Sequence, residues 1–153
     1  MTIAKHTITI FNTYIMETEE ERDPYDPRPP SVSQTTVYSR TVLKNCQWED
    51  TIDRQANTNG LTQVNNLISI IIPKTKGMKL YKKDFEFNKI PVEQRANYWT
   101  LVTSGEIFLG EVPEITPLYT IENARADFRK CIIKGIEDLS DQPVLPHWEI
   151  TGI

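Results

Sequence analysis

Tyr98-Trp99-Thr100-Leu101-Val102-Thr103-Ser104-Gly105-Glu106-Ile107-Phe108-Leu109-Gly110 is the stretch whose reading decides the fold. Two aromatics open it, and Thr103-Ser104-Gly105 forms a turn-rich cluster ahead of the apolar run Ile107-Phe108-Leu109. β-Branched and aromatic residues suit a pleated, half-buried surface, and glycine supplies the backbone freedom of a tight reversal. The pattern predicts a strand–turn–strand hairpin at the centre of a small β-domain. Nothing in it has the composition of an active site.

The same period-two logic extends outward in both directions. Residues 7–14 alternate Thr with Ile and then reach Phe11 and Tyr14, which predicts a strand with Ile8 and Ile10 on the core face. Residues 36–48 form a second strand whose alternation fails near Leu43, the signature of a bulge or bend. The run Leu67-Ile68-Ser69-Ile70-Ile71-Ile72, ended by Pro73, reads as a buried central strand. Residues 130–136 and 147–153 supply two more, with a loop over 137–146. Between the strands, residues 51–64 are polar, with Asn57-Thr58-Asn59-Gly60 as a turn signal. Pro91 opens a short helical turn through Ala96. Thr120 is set to cap a helix through Phe128, with Ile121, Ala124 and Phe128 on one face. Tyr81, Phe85 and Phe87 are expected to anchor their segment to the core. Six to eight strands with one short helix indicate a mainly β chain. The expected architecture is a small β-barrel or β-sandwich, one β-domain over residues 1–153 with long loops.

A chain of 153 residues is long enough to bury a core without metal or disulfide staples. The net charge of −4 lacks the basic footprint that drives binding to nucleic-acid phosphates. Cys46 and Cys131 lie far apart in strand-like runs and read as buried, reduced thiols, with a disulfide between them as the open alternative. Met1-Thr-Ile-Ala-Lys-His lacks the apolar stretch of a signal peptide, and the run Ile70-Ile71-Ile72 is far short of a membrane span. The chain is expected to be made in the cytoplasm and to engage no membrane.

Two charged segments stand apart. Residues 16–34 carry Glu17, Glu19, Glu20, Glu21, Asp23 and Asp26, with Pro24, Pro27, Pro29 and Pro30 in quick succession. Such a segment does not pack a core and has few donors for a sheet, so it reads as a loop or arm. It is either a solvated hairpin excursion or an arm that orders against a neighbouring subunit. Residues 74–83 hold Lys74, Lys76, Lys79, Lys82 and Lys83, either a solvated loop or a contact for phosphate or an acidic partner surface.

There is no glycine-rich phosphate loop, nucleophile elbow or metalloprotease helix. His6 and His147 would meet if the first and last strands paired, and with Cys46 and Cys131 would make a nominal four-ligand set. None of the four has a second ligand at the short spacing of structural zinc sites, so no metal and no cofactor are expected. The acidic pairs Glu49/Asp50 and Glu137/Asp138 lie in expected turns, where carboxylates are solvated. No set of residues fills the roles of nucleophile, base and oxyanion donor, so no catalytic residue is assigned. A single-stranded nucleic-acid-binding barrel is the alternative class, with Tyr81 and Phe85 set among lysines as stacking aromatics.

Several motifs together resemble a known family. They are Thr7-Ile-Thr-Ile-Phe-Asn12, Tyr38-Ser-Arg-Thr-Val-Leu-Lys-Asn-Cys-Gln-Trp-Glu49, Tyr98-Trp-Thr-Leu101 with Gly105-Glu-Ile-Phe-Leu-Gly110, and the terminal His147-Trp-Glu-Ile150. In that order they resemble small head–tail morphogenesis proteins of tailed bacteriophages. The acidic, proline-rich arm and Cys46-Gln47 depart from the family pattern, which has a small residue followed by His at the latter place. The resemblance implies a non-enzymatic virion protein at the head–tail junction, a head-completion, stopper or adaptor component of the neck. It implies a homo-oligomeric ring contacting portal, adaptor and tail proteins, with packaged DNA passing nearby. Capsid decoration and tail completion are alternatives within the class. Ring contacts join unlike surfaces, so the acidic segment at 17–26 and the basic segment at 74–83 are expected to pair between copies. On that expectation, replacing Lys79, Lys82 and Lys83 by Glu weakens assembly.

Overall fold

The computed structural model describes residues 5–19, 21–56 and 62–153. The turn expected at 57–60, the acid Glu20 and residues 1–4 of the leader reading lie outside the described residues. The chain is mainly β. Six strands close into an antiparallel barrel in the order β1-β2-β3-β8-β7-β6. They are β1 (His6–Glu19), β2 (Val32–Ala56), β3 (Thr62–Pro73), β6 (Glu106–Leu109), β7 (Lys130–Leu139) and β8 (His147–Gly152). Two short strands, β4 (Leu80–Tyr81) and β5 (Tyr98–Trp99), pair in parallel as a separate sheet. The helices are α1 (Asp84–Phe87), a 3-10 helix (Val92–Asn97) after Pro91, and α2 (Ile121–Asp127).

β2 organises the barrel. At ~3.3 Å per residue its 25 residues span about 80 Å. It pairs with β1 through Cys46 and with β3 from Gln47 onward, so it changes partner midway. The change falls at a bulge: His6 faces Cys46 while Ile8 faces Leu43, and Asn45 takes a φ of 60°. Asn tolerates the left-handed region better than most side chains. This is the irregularity that the broken alternation near Leu43 predicts.

The stretch 98–110 does not form a hairpin. The turn is present, with Gly105 N–H donating to Val102 O at 2.9 Å and Ser104 at a φ of 71°. Its two limbs then part. β6 has both edges occupied, by β1 and β7. Residues 98–101 find other partners: β4 at Tyr98 and Trp99, and the Asn12 side chain at Thr100. Asn12 Nδ2 donates to Thr100 O at 2.9 Å, and Thr100 N–H donates to Asn12 Oδ1 at 3.1 Å. A side-chain amide thus replaces a strand, and it holds Trp99 and Leu101 in the core. Trp99, Trp148 and Tyr81 pack there with ring centroids 4.9 to 5.1 Å apart. Trp99 Nε1–H donates to Lys79 O at 2.9 Å.

Ile8, Ile10, Ile70, Ile72, Ile107, Ile133 and Ile150 fill the interior around these rings. A second cluster, Phe108, Val112 and Ala124 with Ile121 and Phe128, seats α2. Thr120 caps α2 in a capping box with Asn123, and Ala124 is its buried residue, as the shared face of Ile121, Ala124 and Phe128 predicts. Salt bridges from Arg125 and Lys130 to Glu106 tie this region to β6. Cys46 and Cys131 are buried, free thiols, and burial pushes them up to about 12 and about 11.

Other expectations shift. Glu137 and Asp138 belong to β7 rather than a loop, because they face Glu149 and Trp148 across the ladder to β8. Residues 51–56 and 62–64 are strand rather than loop, since ladder pairing with each other satisfies their backbones. Phe87 anchors its segment and Tyr81 joins the tryptophans, but Phe85 stays exposed. His6 and His147 do not meet, because β1 pairs with β2 and β6, while β8 pairs with β3 and β7.

Candidate interaction surface

The β1–β2 ribbon continues past the barrel. β6 leaves β1 at Ile10, and β3 joins β2 only from Gln47, yet β1 and β2 stay paired out to Glu19 and Val32. Both ends of the arm expected at 16–34, residues 16–19 and 32–34, are therefore a two-stranded ribbon, and residues 21–31 are its irregular tip. Those ends have enough donors to join a ladder, and the prolines are confined to the tip beyond Val32's pairing. Residues 15–19 and 32–36 are exposed on both faces of the ribbon. Tyr14 marks its root: it is buried, packs against Phe87 at 6.5 Å, and carries the Arg95 guanidinium 5.6 Å above its ring.

The acidic residues are spread along this projection. Glu17 and Glu19 lie in β1, and Glu17 accepts from Gln34 Nε2 at 3.2 Å across the ribbon. Glu21, Asp23 and Asp26 lie in the tip with Arg22 and Arg28. Asp23 Oδ1 accepts from Tyr25 N–H. Asp26 is matched by Arg28, whose guanidinium bonds both carboxylate oxygens and holds that carboxyl below its usual range. Tyr25 stands 91% exposed between them.

The basic residues do not act as one patch. Lys79 is half-buried, with Nζ donating to Arg40 O at 2.7 Å and to Thr41 Oγ1 at 3.3 Å. It caps the β2 edge inside its own chain, and desolvation lowers its pKa. Lys74 Nζ reaches Ser140 O at 3.3 Å. Lys76 and Lys83 are exposed, and Lys82 lies 5.8 Å from the Tyr98 ring centre. Along β4, Tyr81 turns inward to the tryptophans, so it does not offer the face that base stacking needs. Leu80 points the other way and is 64% exposed.

A groove opens where the ribbon passes the 3-10 helix, lined by Ile15, Met16, Glu17, Gln34, Val92 and Glu93. Ile15, Met16, Val92 and Glu93 were not singled out by the sequence. The available signal was two large apolar residues, Ile15 and Met16, running into an acidic block. His6 faces Cys46 across the β1–β2 ladder and His147 pairs with Glu149, but among the described residues neither pair gathers a third ligand-type residue. His6 Nδ1 accepts from Trp48 N–H at 3.3 Å, and His147 lies between Leu145 O and Glu149. Among the described residues no group of three or more His, Cys, Asp or Glu is arranged to hold a metal ion. Among them, too, no helix is long and apolar enough to cross a membrane.

No curated protein and no solved structure matches the chain. One family model matches residues 2–153, nearly end to end, and the chain belongs to that family, a family of unknown function (DUF6751).

Proposed function

We propose that this chain is a non-enzymatic structural protein of a tailed-phage virion, acting as a head-completion, stopper or adaptor component of the neck. The observation that carries the reading is the β1–β2 ribbon. Residues 15–19 and 32–36 are exposed on both faces, and a lone two-stranded ribbon is marginally stable in water. A projection of this kind suits contact with another subunit. The motifs at 7–12, 38–49, 98–110 and 147–150 add the resemblance to head–tail proteins. In this role the barrel is the rigid body of a ring subunit and the ribbon is its reach. The acidic ribbon meets a basic surface of a neighbour, and DNA passes without sequence-specific contact.

The test is location. Virions from the host whose genome encodes the chain are purified and labelled with an antibody to it. Label at the neck is expected. Label spread over the head would make it a decorating protein. If the chain is absent from particles but retards single-stranded DNA in a salt-dependent way, the nucleic-acid reading replaces this one.

A further inference from the structure

We infer that the groove between the ribbon and the 3-10 helix receives Leu80 of a second copy of this chain. Ile15, Met16 and Val92 give its lining apolar character, and Glu17 and Glu93 add two carboxylates. The occupant must therefore present an apolar side chain flanked by cations. This chain has such a surface. Leu80 and Lys82 lie on the same side of an extended segment, because side chains alternate and Tyr81 between them points inward. The extended pairing continues past β4, with Lys82 N–H donating to Trp99 O at 3.0 Å. Lys83, next in line, is exposed.

Within one chain the two surfaces do not meet, since Leu80 remains 64% exposed. Joining them between copies covers an exposed leucine and supports the ribbon. It also brings Lys82, on Leu80's side of the segment, opposite the Glu17 and Glu93 carboxylates, with the exposed Lys83 at the turn into α1 adding to the positive field. Knob and groove are unlike surfaces, so the contact repeats from copy to copy, as a ring requires. Lys74 and Lys79 take no part, being tied to Ser140 and to Arg40. The inference rests on the reading that copies of the chain assemble, and not on where they do so.

The experiment is sedimentation velocity on the purified full chain over a wide concentration range. Wild type is expected to self-associate. Glu17→Lys with Glu93→Lys, and separately Lys82→Glu with Lys83→Glu, should each weaken association at least about tenfold, as should Leu80→Ser. Mixing the two charge-reversed chains restores it, because every contact between one variant and the other joins opposite charges, while contacts within either variant stay repulsive. Restoration on mixing also shows that both variants fold. A wild type that stays monomeric at every concentration overturns the inference, as do charge reversals without effect or a mixture that fails to recover. Particle labelling is independent: a chain found at the neck that does not self-associate retains the proposed function and loses this contact.

Discussion

Asn12 is the residue whose removal tests the fold most directly. It is buried, and its amide supplies both hydrogen bonds of the Thr100 backbone, at 2.9 and 3.1 Å. Thr100 is itself buried, so Asn12→Ala leaves a donor and an acceptor without partners. Each stranded group costs ~1–3 kcal/mol, which puts the loss at about 4 kcal/mol. For a domain of this size that lowers Tm by roughly 8–16 °C. Thermal and urea unfolding followed by circular dichroism measure it, with exposed Thr13→Ala on the same strand as a control expected within ~0.5 kcal/mol. Asn12→Asp sharpens the test. The introduced carboxyl faces the Thr100 carbonyl oxygen, to which only the protonated form donates, so its folded pKa rises above the unfolded value of ~3.9. The sign follows. Below ~pH 4 this variant keeps most of its stability, and above that it loses about 1.4 kcal/mol per pH unit until the folded pKa is passed. An Asn12→Ala cost under ~1 kcal/mol, or an Asn12→Asp stability flat from pH 4 to 8, would refute the clip.

Further predictions concern packing, titration and the ribbon. A Cβ at Gly152 would lie 2.3 Å from both Cys131 Sγ and the Ile132 carbonyl oxygen. Since backbone cannot swing aside, Gly152→Ala should cost at least ~1–3 kcal/mol in urea unfolding. Both thiols should resist a thiol reagent at pH 8 in the native protein and react fully once it is denatured, because burial holds them at about 12 and about 11. His147 faces Leu145 O with Nδ1 and Glu149 with Nε2, and these partners raise its pKa. The stability it adds is full below the unfolded value of ~6.5 and is lost as pH rises through the higher folded value; Glu149→Gln should lower the His147 pKa in an NMR titration. Replacing residues 20–31 with Asn-Gly should leave Tm nearly unchanged, because the flanking ribbon is exposed, and should abolish incorporation into particles.

The mainly β character and most strands were legible because their signals are local, although barrel and sandwich stayed open until the pairing closed the sheet. Alternation placed Ile8 and Ile10 inside, and the failure of alternation near Leu43 located the bulge at Asn45. Thr120 announced the start of α2. What local patterning did not carry was pairing. Residues 98–110 have the composition of a hairpin, and the turn forms, but which strand joins which is decided by edges elsewhere in the chain. Asn12 decided it for Thr100: alternation puts it on the core face with Ile8 and Ile10, but a lone Asn there does not say which backbone its amide will satisfy. A hairpin excursion was one of the two readings of residues 16–34, but the extent of its ladder was not legible. Glu17, Thr18 and Glu19 read as loop, yet a ladder needs only backbone donors and acceptors, which Met16 to Glu19 have.

The lysines of residues 74–83 differ in how free their charges are. Five lysines within ten residues look like one patch, but a strand sends alternate side chains to opposite sides, and a half-buried cation is occupied by its own fold. Lys79 illustrates both: its ammonium is held by Arg40 O and Thr41 Oγ1. Lys79→Glu would put a carboxylate against a carbonyl oxygen, so it should destabilise the monomer itself and says nothing about assembly. The residues that discriminate are those whose charge is least engaged inside the chain: Lys83 is exposed, and Lys82 has the Tyr98 ring 5.8 Å away but no carbonyl partner like that of Lys79. On that criterion the triple replacement of Lys79, Lys82 and Lys83 is the wrong experiment. The pair Lys82→Glu with Lys83→Glu, read against an unchanged Tm, separates a lost contact from a lost fold.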